Sequence, residues 1–291
     1  MLDFRYHALS LVAVFLALAI GIVLGVTIGD SLLSDAERSL RSNLRANVVD
    51  ARANERQAQS QLAARDRMLD QLYPSLVRDR LRGERVALVA WGPLDNGVEN
   101  GVRDAIRKGG GRLDSVAVLD KPLSDLEEAV GPDRFALLGG DSHALQTLGS
   151  TLAEGLVAGD PIGRKLRQLF PDDFTGRFRH ADAVAFFEAP PPTGDADAAG
   201  VKEREDSRAK AIETGMLDEL TQRTVAVVGV EASGTDPSQI PRYESLKLST
   251  VDSVDKSGGR IALVFALAGA QGNFGFDPTA KAPLPDEVAN P

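Results

Sequence analysis

The side chains able to do chemistry are few and scattered. Cysteine is absent, which removes thiolate metal sites, cysteine nucleophiles and disulfide frameworks in one step. The three histidines, His7, His143 and His180, and the three methionines, Met1, Met68 and Met216, stand far apart. No two share the i, i+4 spacing that aims two helical ligands at one metal, and a soft-metal site would need clustered sulfur ligands. The densest polar group is LLGGDSH, residues 137–143. Asp141, Ser142 and His143 are the residue types of a nucleophile and its base, with Gly139 and Gly140 leaving room for a substrate. Three adjacent residues rarely converge on one reacting atom, however, and no G-x-S-x-G elbow is present. Asp141 or Ser142 capping the following helix accounts for the same residues. The turn WGPLDNG, residues 91–97, is the first place to look for a nucleotide. Pro93 and Leu94 stand there where a phosphate would need glycine, and no P-loop pattern occurs. No catalytic, cofactor-binding or metal-ligating residue is assigned, and the chain reads as a non-enzyme without a cofactor.

Acidic residues number 42 against 33 basic ones, for a formal charge of -9. That balance opposes a nucleic-acid surface, which needs a basic stripe to neutralise phosphates. The basic residues concentrate between Arg38 and Arg85, mixed with acids and amides, as on a solvated helix face.

The first element is apolar. From Ala8 to Ile28 no charge interrupts about 20 residues, enough for a helix to cross a hydrocarbon core of about 30 Å. Ala17-Leu18-Ala19 resembles a signal-peptide cleavage site. Cleavage there would discard only half of the apolar run, so an uncleaved anchor over residues 1–30 is expected. A bare Lys and Arg count favours the opposite sense. Even so, the short leading tail, with Asp30 and Asp35 beyond the span, points to the amino terminus inside and the bulk extracytoplasmic. Ala13, Ala17, Gly21, Gly25 and Gly29 recur every fourth position and stack on one helix face. In lipid such a small-xxx-small strip lets two backbones approach closely. It predicts a homodimer or higher homo-oligomer.

Residues 31–82 contain no glycine and one proline, Pro74, and are rich in good helix formers. Leu33, Leu40 and Leu44 fit one a/d seam. Val48, Ala51, Ala58, Leu62, Leu69, Leu72 and Leu76 fit a second, offset by a stutter. A long coiled-coil rod is predicted, weak at Glu55 and Arg65, kinked or restarted at Pro74, and roughly 70 Å long.

Residues 83–276 alternate between apolar strands and helices, which predicts an α/β domain, a Rossmann-like parallel sheet covered on both faces. Strands are expected at RVALVAWG, LDSVAVL, RFALLGG, ADAVAFFEA and TVAVVGV. Helices are expected over residues 98–108, 122–130, 142–157, 164–170 and 207–222. GGRIALVFALAGA is too short to span comfortably and predicts a buried helix. Residues 190–204 read as a flexible loop and residues 277–291 as a disordered tail.

DFRYHALSLVAVFLALAIGIVLG, residues 3–25, resembles the N-terminal signature of the actinobacterial MctB copper-transport family. STVDSVDKSGGRIALVFALAG and the GNFG after it resemble that family's closing segment. The resemblance implies a membrane protein of the cell envelope with a role in copper transport or homeostasis, and no ligand set to carry over. A relative in the family, SteB, is associated with cell separation and works with a membrane partner, SteA. The alternative it implies is an extracytoplasmic scaffold for cell separation or envelope remodelling that does not itself bind copper. An outer layer of the envelope is the alternative location.

Overall fold

Arg85–Trp91 forms β1, a central strand whose five middle residues are all buried. A strand sandwiched on both faces needs no alternation, which is why RVALVAW is apolar throughout. In the computed structural model the described residues are 4–120, 125–126, 131, 142–158, 161–177, 180–190, 199–223 and 226–288. By its contacts the chain divides into two units, Met1–Ala64 and Arg65–Pro291.

The second unit is built on a seven-stranded sheet of described residues. Its other strands are β2 (Arg112–Leu119), β3 (Phe174–Gly176), β4 (Ala183–Glu188), β5 (Ala226–Val230), β6 (Ser249–Val251) and β7 (Asn273–Phe274). Their order is β3-β2-β1-β4-β5-β6-β7. Every neighbouring pair is parallel except β2 with β3, which is antiparallel. The mixed α/β class and its parallel sheet thus match expectation.

Alternate residues of β1 feed two separate cores. Val86, Leu88 and Ala90 pack with α2 (Asn96–Lys108) and with α7 (Ser257–Leu267), the apolar helix near the end of the chain. Ala87 and Val89 pack with α3 (Ser142–Ala158) and α5 (Ala199–Gln222) on the other face. Two shorter helices among the described residues are α4 (Pro161–Leu169) and α6 (Ile240–Ser245). Nine residues of α7 are buried, which explains its membrane-like sequence as core.

Several expectations are corrected. α1 runs over Phe4–Leu76 and includes Pro74 in its last turn, where the missing amide donor removes one intrahelical bond just before the helix stops. The predicted rod therefore ends at Leu76 instead of continuing to residue 82. Its last part belongs to the second unit. Tyr73, Val77 and Leu81 are fully buried in the first core, and Leu69 and Leu76 pack against it. Lys108 stacks its ammonium 4.2 Å from the Tyr73 ring centroid. Leu69 and Leu76 thus serve this chain's own core, while Leu40, Leu44, Val48 and Leu62 are exposed.

Residues 199–204, expected as loop, are the start of α5, because Ala, Lys, Glu and Arg there favour helix. The tail is ordered as far as residue 288. Ala282 bridges to Phe274, Leu284 and Val288 pack on the first core, and Asp286–Val288 make a 3-10 turn. The expected strand RFALLGG and most of the expected 122–130 helix lie outside the described residues, as do residues 191–198 of the expected loop.

Candidate functional site

β2 and β4 flank β1 on opposite sides, so the carboxyl ends of β1 and β4 frame a topological switch point, the place where open α/β sheets hold their ligands. A cleft of about 880 Å³ lies there, within the roughly 300–1,000 Å³ usual for small-molecule sites. β1 ends in Trp91 and Gly92 at its edge; β4 supplies Glu188, and α5 supplies Lys210 and Glu213. Asp120, which follows β2, and Ser238 and Gln239, which precede α6, complete its polar lining. A smaller cleft of about 430 Å³ lies at the amino ends of β5 and β6, where the charged groups Glu244 and Lys281 pair with each other.

Three charged side chains from three elements meet at the base of the larger cleft. Arg242 Nη1 donates to Glu188 Oε1 at 3.0 Å, and its Nη2 lies 2.6 Å from Glu213 Oε2. The next residue, Tyr243, is fully buried, and its hydroxyl oxygen accepts the Glu188 backbone N–H at 2.8 Å. Its ring meets Phe186 edge-on, at 6.1 Å and 87°. α6 can sit this close to β5 because residue 229 is glycine: a Cβ there would fall 2.4 Å from the Tyr243 ring. The approach to α6 is fixed by buried Glu231, which accepts from Ser238 Oγ at 2.8 Å and from the Gln239 N–H at 2.9 Å. Burial raises the pKa of Glu231 above the ordinary glutamate range.

α5 is held to α3 by two facing glycines. A Cβ on Gly149 would lie 1.9 Å from the Ile212 carbonyl oxygen, and one on Gly215 would lie 2.0 Å from that of Gln146. Ser150 Oγ donates to the Gly215 carbonyl at 3.1 Å. This close crossing fixes Glu213 between its two glycine-bounded neighbours.

Glu213 is 0% exposed, and burial, reinforced by the negative charge of Glu188 and opposed by Arg242, pushes its pKa up to about 8. Glu188 Oε2 and both oxygens of Glu213 have no hydrogen-bond donor among the described protein groups, Glu213 Oε2 meeting Arg242 as an ion pair outside hydrogen-bond geometry. A proton retained on Glu213 supplies one, so near neutrality the base of the cleft holds a carboxylic acid, a carboxylate and a guanidinium. The arrangement can present fixed acceptors and donors. The turn WGPLDNG ends differently from a phosphate loop: Asp95 caps α2 by accepting the Val98 N–H at 3.0 Å, placing a carboxylate where an anion would bind.

The residues singled out in the sequence do not converge here. Ser142 and His143 open α3 and are exposed, while Asp141 lies outside the described residues. His7 and His180 are exposed on other segments, and Met216 is buried under α5. Among the described residues no group of three or more His, Cys, Asp or Glu is placed to hold a metal ion. Ala13, Ala17 and Gly21 lie exposed on α1, with open space around a Cβ built at Gly21; Gly25 and Gly29 follow on the same helix. Glu188, Glu213 and Arg242 were missed. The readable signal was an acid closing a buried strand, at the end of AVAFFE.

The span Tyr6–Leu24 is long and apolar enough to cross a membrane, and none of it is buried within the chain. A comparison with curated proteins gives no match. The sequence profile of the MctB family, described as copper transport outer membrane protein, matches residues 1–285. With nearly its whole length matched and an apolar helix that fits a membrane location, this chain belongs to the MctB family, a copper-transport-related envelope family.

Proposed function

We propose that the chain is a single-pass membrane protein that self-associates through its apolar helix and serves copper transport or homeostasis without catalysing a reaction. The observation that carries this reading is the span itself. Every described side chain from Tyr6 to Leu24 is exposed in one chain, including the small residues Ala13, Ala17 and Gly21. In lipid, large apolar side chains gain nothing by leaving acyl chains, so a strip of small ones is where a second helix gains contact. Gly25 and Gly29 extend that strip. Exposed Leu40, Leu44, Val48 and Leu62 on the same helix support continued pairing beyond the bilayer, where tethering raises the effective concentration. The α/β domain lies on the extracytoplasmic side in this reading.

Cross-linking of full-length chains in membranes tests the assembly. Gly21→Leu combined with Gly25→Leu is expected to reduce the cross-linked fraction strongly; undiminished cross-linking sinks the pairing. Cellular copper in a strain lacking the chain tests the role, with a rise expected and an unchanged content counting against it. A scaffold role, in which the α/β domain engages an envelope partner of the SteA type, is favoured by the switch-point cleft, which copper chemistry leaves unused.

A further inference from the structure

We propose that the switch-point cleft binds a neutral, polyhydroxylated ligand, a saccharide unit of one or two sugars, with Trp91 as its platform and Glu188 as its central hydrogen-bond acceptor. The inference stands on the cleft alone and is independent of the copper role and of helix pairing.

The lining restricts what can bind. Three acids, Asp120, Glu188 and Glu213, and one base, Lys210, line the cleft, and Arg242 lies at its base against both glutamates. A free cation would meet the Arg242 guanidinium, which already holds both glutamates, and the lost Coulomb energy is large where water is scarce. An anion would meet Asp120 and Glu188. A phosphate finds the nearby α2 terminus already taken by Asp95. With the proton that burial keeps on Glu213 the charges cancel, and they leave acceptors and donors side by side. Hydroxyl groups are donors and acceptors at once, so a polyol can serve Asp120 and Glu188 as donor and Lys210 and Gln239 as acceptor without changing its own charge.

The rest of the wall is apolar: Trp91, half-buried, stands among alanine and proline side chains. A sugar ring carries C–H groups on one face and hydroxyls on its rim, which matches an aromatic ring beside polar groups. Indole is amphipathic in the same way. Glu188 is the more accessible of the two glutamates that line the cleft, with its side chain 12% exposed against 0% for Glu213. Glu213 and Arg242 are positioning residues: they fix the Glu188 carboxylate from behind, and its backbone N–H is fixed by Tyr243.

Trp91 is the only tryptophan in the chain, so intrinsic fluorescence reports on this cleft directly. Full-length protein in detergent is titrated with glucose, maltose and cellobiose, with glucuronate, ATP and calcium chloride as charged comparators. A saturable change in emission with at least one neutral sugar is expected. Ala209→Leu, which fills the cleft from a half-buried helical position, should abolish it. Asp120→Ala, at an exposed site outside the core, should weaken it about tenfold, the equivalent of one lost charge-assisted hydrogen bond. Circular dichroism of both variants should be unchanged. No saturable response to any neutral sugar overturns the proposal. So does a response to glucuronate, ATP or calcium alone, or a sugar response that survives Ala209→Leu in a folded protein.

Discussion

Glu213→Gln is the most incisive perturbation of the α/β domain, because glutamine copies the protonated glutamate that burial favours. Its amide oxygen can face Arg242, which Glu213 Oε2 meets as an ion pair at 2.6 Å, and its NH₂ can donate to Glu188. The wild-type carboxyl titrates near pH 8 in the folded protein and near 4.5 in the unfolded chain. Between those values the native state holds a proton that the unfolded chain has released. Stability from this group is therefore fully present below about pH 4.5 and is lost as pH rises through about 8. The slope is at most about 1.4 kcal/mol per pH unit, which bounds the loss at about 5 kcal/mol over the window. The variant has no such slope. Other buried acids with raised pKa values, Glu231 and Asp252, titrate in both proteins and cancel in the difference, since neither touches the substituted atom.

Urea unfolding of full-length protein in detergent, followed by Trp91 emission from pH 5 to pH 8, measures that difference. The variant should gain at least about 2 kcal/mol on the wild type across the range, less than half of the bound above. Parallel stability curves would refute the reasoning. So would a variant less stable by the same amount at every pH, because that is the signature of an ionised Glu213 whose worth lies in its charge on Arg242.

Two further predictions concern packing. A fragment beginning at Arg65 should unfold cooperatively, whereas one beginning at Gly83 loses the fully buried Tyr73, Val77 and Leu81; at about 1.5–3 kcal/mol per side chain it should be less stable by on the order of 5 kcal/mol, and equal urea midpoints for the two fragments would contradict this. Gly149→Ala should cost about 3 kcal/mol, because the added methyl meets the Ile212 backbone and no side chain can move aside; a variant with unchanged thermal stability would show that α3 and α5 do not need their close crossing.

Much of the sheet was legible because its central strands are buried on both faces and so read as unbroken β-branched and apolar runs. The short strands were not. β3, β6 and β7 have three, three and two residues, too few for a period of two to show. α6 hides in IPRYES, whose six residues complete less than two turns. The start of α5 was masked by what precedes it: a proline- and acid-rich stretch that lacks core-forming residues runs directly into good helix formers. The seam at the end of α1 was misread for a subtler reason. Leu69, Leu72 and Leu76 have the spacing of a coiled coil, but so do Leu69, Tyr73, Leu76 and Val77, which lie on the face that the first core covers. Sequence spacing identifies an apolar stripe and does not say whether the chain's own domain or another helix covers it.

The two candidate sites differ in legibility for a physical reason. A helix in lipid must satisfy its backbone internally, so a partner surface on it would be local in sequence, as the proposed strip of small residues at every fourth position from Ala13 to Gly29 is. A doubly wound sheet does the reverse. Its crossovers bring the carboxyl ends of sequence-distant strands together, and a site there must draw on several elements: Trp91 closes β1, Glu188 closes β4, Glu213 comes from a crossover helix and Arg242 from the turn after β5. No window of the chain contains more than one of them in register. What a single sequence does expose is the exception to strand composition. The last residue of AVAFFE is charged, and a charge that closes a buried parallel strand must either reach solvent or find partners. Here the side chain stays largely buried and finds Arg242, so the fold has kept a costly group where an apolar one would pack. That cost is the strongest reason to seek a ligand at Glu188 before looking at any exposed histidine.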